Sequence, residues 1–486
     1  MIDTTWLDAT AQAELVRRGE VSPAELVEAA ITRIESVNPA LDAVIRTRFD
    51  EARAEAAADL PDGPFRGVPI LLKDIGCMVA GEATAFGVGA LREVRWPVTS
   101  YLATQFRQAG FIALGRTNVP ELGTTVTTEP KSFPPSRNPW HVEHSSGGSS
   151  GGAAAAVASG MVAVAHASDG GGSIRIPASA CGLFGLKPTR GRISQGPGAA
   201  EGWGGSSTDG VLTRTVRDSA AILDAISGRM PGEPYYAPAW PRPLADEVGA
   251  DPGRLRVGVL MRPPGEAMLS DSAPQASPEF LDDPECRAAV ANAVRLLDQF
   301  GHHVDESYPA EMFNLEIARC FTAMISADSE STFLAFERAL GRPIRDDEIE
   351  ERNAAHRRTA RKLDAVTYVN HRARIGRWVR RMAQWWERYD LLLTPTLAAP
   401  PPRLGWFTED GPATERQRVR AYAPYTAPFN MTGQPAMSVP LHWTTDGLPV
   451  GVHIVAPYGR EDLLIRVASQ LEQAAPWADR RPTVHA

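Results

Sequence analysis

The chain has 486 residues, 43% of them hydrophobic and 22% charged, proportions of a folded globular protein that exclude a disordered or fibrous one. Its net charge of -8 excludes a general binder of phosphate backbones, which needs clustered Lys and Arg to displace counterions, so nucleic acid is not an expected partner.

From the N-terminus, Met1 to Asp8 carry neither the basic nor the apolar region of a secretory signal, and no later run reaches about 18 apolar residues. A cytoplasmic protein without membrane contact is expected. Residues up to about 60 read as N-terminal helices: Asp8 to Arg18 stopped by Gly19, then Ser22-Pro23-Ala24-Glu25, a capping box with proline at the first helical position, followed by a stripe of Val27, Ile31 and Ile34. From residue 67, short apolar runs (Val68 to Leu72, Phe111 to Leu114, Met161 to Ala165) alternate with helical patterns (Tyr101 to Gln108, Ala153 to Ser159), the rhythm of an α/β protein. Pro231 to Gly253 reads as a connection ahead of a strand at Leu255 to Leu260. Pro284 to Trp386 is helical by periodicity, Asp390 to Pro395 is a buried strand, and residues 399–418 form a long proline-rich loop. The largely helical region 284–420 is expected to wall the substrate pocket. The four cysteines, Cys77, Cys181, Cys286 and Cys320, have no CxxC spacing and read as reduced thiols, without a zinc site or a disulfide framework.

Residues 145–177 carry the chemistry. A Gly/Ser linker would not run directly into a good helix former, an apolar run and a second glycine cluster, and a phosphate loop would end in Gly-Lys-Ser/Thr. Consecutive small residues at Gly170-Gly171-Gly172 let backbone amides converge on a developing oxyanion, and Ser173 follows them as a nucleophile would. A serine needs a base. None of the ten histidines stands in a hydrolase context, and no GxSxG elbow is present. Lys73, ending the run Gly67 to Asp74, qualifies if burial lowers its pKa, although a lysine there is also a common member of a structural ion pair; Asp74 faces the other way in strand geometry.

These stretches resemble the amidase-signature hydrolases: Gly67-Val68-Pro69-Ile70-Leu71-Leu72-Lys73-Asp74, Gly115 to Glu121, Gly147-Gly148-Ser149-Ser150-Gly151-Gly152, Asp169 to Pro177, Gly185 to Thr189 and Phe429 to Pro435. The resemblance spans nearly the whole chain. It implies a single large α/β/α domain with a central mixed sheet between helical layers, and an amidase with a Ser-cisSer-Lys triad of Ser173, Ser149 and Lys73. It also implies a cis peptide between Gly148 and Ser149 and an oxyanion hole of Gly170, Gly171, Gly172 and Ser173. Neither metal nor organic cofactor is needed. Asp169 and Arg175 are expected to orient the loop or to form a plain ion pair; Thr124, Thr125 and Cys320 are pocket-wall candidates by analogy, although Cys320, in the apolar-periodic stretch Ile317 to Met324, fits core packing better. Where the family commonly has Thr or Ile, this chain has Gly170, which is expected to loosen the oxyanion loop. Asp8 to Val16, Thr127 to Pro130 and the tail from Tyr458 to Pro482 look most like the aminohexanoate cyclic-dimer (nylon-oligomer) hydrolases. The expected partner is a small-molecule amide and the expected assembly a monomer or homodimer. The rivals are a glutamyl-tRNA amidotransferase A-type subunit and a silent binding protein on the same fold.

Overall fold

Runs of apolar residues too short for helices become strands covered on both faces. The computed structural model of the chain describes residues 2–263 and 283–486. Its strands are β1 (Val44–Thr47), β2 (Pro69–Lys73), β3 (Ile112–Thr117), β4 (Arg137–Asn138), β5 (His141–Ser145), β6 (Val164–Asp169), β7 (Phe184–Lys187), β8 (Thr208–Thr213), β9 (Arg256–Val259), β10 (His303–Glu306), β11 (Leu391–Pro395), β12 (Ala436–Trp443) and β13 (Pro449–Val455). Eleven of them form one sheet in the order β1-β3-β2-β6-β8-β7-β12-β13-β11-β9-β10, and β4 and β5 pair separately. β2 lies parallel to β3 and β6, and β9 parallel to β10 and β11, while the other neighbours are antiparallel. The sheet is therefore mixed.

Period-two alternation sorts its side chains into the two layers. Ile70 and Leu72 of β2 and Leu391 and Leu393 of β11 join an apolar cluster with α1 (Ala9–Arg17), α4 (Tyr101–Gln108), α7 (Val216–Ile226), α8 (Pro284–Gln299) and α14 (Glu461–Ala474). On the other face, Leu71 packs with α2 (Pro23–Leu41), α3 (Phe49–Ala57), α5 (Gly151–Ala158) and α6 (Arg175–Cys181). Leu392 meets α9 (Leu315–Leu340) and α11 (Ala365–Ala383) over the far half. Two layers of helices thus enclose the sheet. The remaining helices are α10 (Glu351–Ala360), α12 (Pro412–Tyr422) and α13 (Pro428–Met431). Among the described residues no helix is long and apolar enough to cross a membrane.

The N-terminal expectations hold in detail: Asp8 caps α1, and Ser22 and Glu25 exchange the reciprocal hydrogen bonds of a capping box. Three expectations are corrected. The strand expected at Met161 to Ala165 begins at Val164 and runs on to Asp169, because Met161 is taken up in closing α5: its amide bonds Ala156 O while that of Gly160, at φ +81°, bonds Val157 O. The segment from Pro284 to Trp386 contains an edge strand, β10, whose four mostly polar residues give little apolar signal. The loop expected over 399–418 ends in α12, announced by Gly411 and Pro412 at its start.

α5 is buried at every position, and it sits so close to the sheet that a Cβ on Gly152 would lie 2.5 Å from Asn118 N and 2.6 Å from Ala43 O. Both are backbone atoms. Gly152→Ala gains helix propensity of about 1 kcal/mol, but overpacking of this kind costs about 1–3 kcal/mol. The urea midpoint of Gly152→Ala should therefore fall, and an unchanged or higher midpoint would show that α5 can move away from β1 and β3.

Candidate active site

The loop between β6 and α6 carries Ser173 and is held from below by a buried ion pair. Arg175 donates from Nε and Nη2 to the two oxygens of Asp169, each at 3.0 Å, with both side chains fully buried. Asp169 also accepts from the amides of Gly172 (2.7 Å) and Ile174 (3.1 Å). Burial alone would raise the Asp169 carboxyl, but the charge and hydrogen bonds of Arg175, with Lys187 and Asn430, outweigh it and hold the group well below the usual carboxylate range. The two alternatives for this pair are therefore one arrangement, an ion pair that also sets the loop. Its geometry turns the Gly172 amide toward Asp169 and away from any oxyanion; Gly171 and Ser173 have amides with no acceptor among the described residues. Ser173 is 8% exposed, and its hydroxyl has no hydrogen-bond partner among them.

Lys73 ends β2, two residues beyond Leu71, and is completely buried. Its Nζ donates to Ser149 Oγ at 2.8 Å, Ser168 Oγ at 2.9 Å and Ser168 O at 3.4 Å. All three partners are neutral. Burial drives its pKa down to about 7 against the opposing charges of Asp209 and Asp169. The ion-pair alternative for Lys73 does not hold, and Asp74 instead accepts from the amides of Ala85 and Gly87. His166 is structural: its Nδ1 accepts from the Lys73 amide and its Nε2 pairs with Asp209. Ser149, 3% exposed, follows Gly148 through a cis peptide. A Cβ on Gly148 would lie 2.5 Å from Thr127 N. No hydrogen bond joins Ser149 to Ser173 in this conformation; the structure links Lys73 to Ser149 and leaves the Ser173 hydroxyl facing open space.

That space is a cavity of about 320 Å³ lined by Ser173, Thr124 and Thr125. Thr124 Oγ1 also bonds Asn353 (2.8 Å) and Arg352 (3.0 Å), whereas Thr125 Oγ1 is buried without a partner among the described residues. Of the two readings of Cys320, core packing holds and the pocket-wall reading does not: it is absent from the wall, lies in the apolar core and contacts His371 Nδ1 at 3.1 Å. The face of α9 turned to the cavity carries Ala318, Phe321, Thr322 and Ile325, spaced by three and four residues, and Cys320 points away from it. Walls also come from residues 123–126, 171–176 and 203, outside the helical region expected to supply them.

The space beside Gly170 is filled rather than open. The ring of Trp203 lies where a larger side chain would stand, so that a Cβ on Gly170 would be 2.7 Å from it. Trp203 is fixed by its amide bond to Asp328 Oδ1 (3.2 Å) and by an edge contact with Phe321. Sequence reasoning also missed Ser168, Thr426 and Asn430. Thr426 Oγ1 donates to Gly171 O at 2.6 Å, and Asn430 Nδ2 bonds Asp169 O and Oδ1 while its Oδ1 accepts from Arg175. Asn430 stood inside a noted motif, but nothing in the sequence says which distant loop it serves.

Comparison with known proteins agrees with this geometry. The Amidase family model matches residues 25–465. The chain is 40% identical to a 6-aminohexanoate-cyclic-dimer hydrolase of Paenarthrobacter ureafaciens, over 98% of this chain and 96% of that protein. The solved structure of a 6-aminohexanoate cyclic dimer hydrolase complexed with substrate superimposes over the whole of both chains with a TM-score of 0.92 at 39% identity. That of a bacterial aryl acylamidase of the amidase-signature family covers 97% of each chain with a TM-score of 0.85 at 27% identity. The chain belongs to the amidase-signature family and is a hydrolase of carbon–nitrogen amide bonds.

Proposed function

We propose that the chain hydrolyses small-molecule amides through an acyl-enzyme on Ser173, with Ser149 as proton relay and Lys73 as base. The observation that carries this reading is the environment of Lys73, a buried amine whose hydrogen-bond partners among the described residues are all neutral oxygens, one of them Ser149 Oγ at 2.8 Å. An amine with a pKa near 7 is in part unprotonated at neutral pH and can accept a proton through Ser149 once Ser173 turns its hydroxyl inward. The amides of Gly170, Gly171 and Ser173 would hold the oxyanion, and Ser149 would return the proton to the leaving nitrogen before water cleaves the ester. The mostly apolar cavity wall suits an aliphatic or aromatic body on either side of the amide. Open or cyclic amide oligomers, aryl amides and carbamates are the substrate types to assay, given the activities named for its relatives.

Ser173→Ala should abolish turnover and labelling by a fluorophosphonate while the protein stays folded; activity within tenfold of the parent would rule out Ser173 as nucleophile.

Because the neutral form of Lys73 is the active one and burial lowers its pKa to about 7, kcat/KM should fall with unit slope as the pH drops below about 7. Lys73→Arg should lose several orders of magnitude in kcat, since a guanidinium is no base near neutrality. A functional Arg variant, or a flat profile from pH 5 to 8, would remove Lys73 from this role.

Ser149→Ala should harm a matched anilide more than a nitrophenyl ester, because an amine cannot leave as an anion whereas a nitrophenolate can. Each kcat/KM loss converts to free energy at about 1.4 kcal/mol per tenfold. Equal losses would remove the leaving-group role from Ser149.

A further inference from the structure

The cavity in front of Ser173 is mostly apolar, but its α12 side is cationic. Four of its lining side chains are Arg352, Glu415, Arg416 and Arg420. Arg352 is fully engaged, bonded to Glu350, Glu415 and Thr124. His356, also in the wall, is bonded to Ser326, and burial with the charges of Arg352 and Arg416 pushes it down to about 4, so it adds no charge at neutral pH. Arg416 and Arg420 remain. They stand one turn apart on α12 with Val419 between them, and all three residues line the cavity. Neither guanidinium has a carboxylate, carbonyl or ring partner among the described residues, whereas Arg418 on the same helix pairs with Glu409 and Asp410. Partial loss of solvent, with the like charge of Arg319 from α9, lowers the pKa of Arg420. In a protein of net charge -8, two unpaired cations turned to the substrate cavity are a local reversal of sign.

We propose that Arg416 and Arg420 form a carboxylate-binding end to the cavity, so that the preferred substrates are open-chain amides bearing a carboxylate remote from the scissile bond. This rests on the reading that the amide carbonyl is attacked at Ser173. Two adjacent guanidiniums offer parallel N–H donors to one carboxylate, and the apolar walls between them and Ser173 accommodate the linking chain. Both residues are exposed at the rim of the cavity, so a neutral or cyclic amide leaves them solvated and gains nothing from them, whereas a carboxylate gains paired hydrogen bonds.

The test separates binding from turnover. The Ser173→Ala protein is titrated calorimetrically with two matched pairs: adipic acid monoanilide against its ω-carboxamide, and N-benzoyl-6-aminohexanoate against its primary amide. The pairs place the carboxylate on the acyl or on the amine side. In at least one pair the carboxylate should bind roughly tenfold more tightly, a preference that shrinks as salt is raised. Arg416→Gln/Arg420→Gln in the same background should bring the ratio close to one, with thermal unfolding showing that the variant is folded. Equal affinities, no binding of either carboxylate, or a preference that survives the double substitution would overturn the proposal. Continued turnover by Ser173→Ala would instead overturn the nucleophile assignment and leave the affinity ratio to stand by itself.

Discussion

The amine of Lys73 is fully buried and pairs with no carboxylate among the described residues, and the rest of the site is arranged around that constraint. A charged ammonium in such a place is costly, whereas a neutral amine, with two N–H groups for the oxygens of Ser168 and a lone pair for the hydroxyl of Ser149, is tolerated. The sheet supplies the place: β2 is covered on both faces and runs parallel to both of its neighbours, so its C-terminal end opens beneath the loops that follow β6 and precede α5. Asp209 is kept from neutralising Lys73 directly by its own bond to His166.

The second requirement is a well-held loop under Ser173, and electrostatics meets it. Removing one partner of a buried ion pair typically costs about 3–5 kcal/mol because the other charge is stranded, and Asp169 and Arg175 are each further tied to backbone or side chains of the loop and of the C-terminal segment. Arg175 Nη1 also lies 2.9 Å from Nε2 of His453, whose ring is held neutral by burial and by the neighbouring guanidinium. Small residues then permit the close approaches that a stiff loop needs: Trp203 fills the volume left by Gly170, and Thr426 fastens the carbonyl of Gly171.

The parts of this arrangement that were legible in the sequence are those set by local chemistry. The run ending in Lys73, the glycine clusters and the capping box at Ser22 each state their structure within a few residues. The cavity wall was not legible, since it is assembled from segments that meet only in three dimensions. Cys320 shows the difficulty: on an amphipathic helix such as α9, one step of about 100° separates the cavity face from the core face, and sequence alone does not say which face is turned to Ser173. The strand β10 and the helix α12 escaped for the opposite reason, as both are polar and follow packing partners rather than an apolar period of their own.

The clamp on the Ser173 loop can close only late in synthesis. Arg175 takes its partners from Thr426, Asn430 and His453, so a ribosome must synthesise more than half of the chain after Ser173 before that loop can be fastened. Until then the alanine-rich helix that follows Ser149 and the loop beyond it lack the far half of their sheet, and the apolar surface that half covers stays open, the general condition in which growing chains are prone to aggregate. The loop that carries Ser173 is thus fastened only once the last strands have been made.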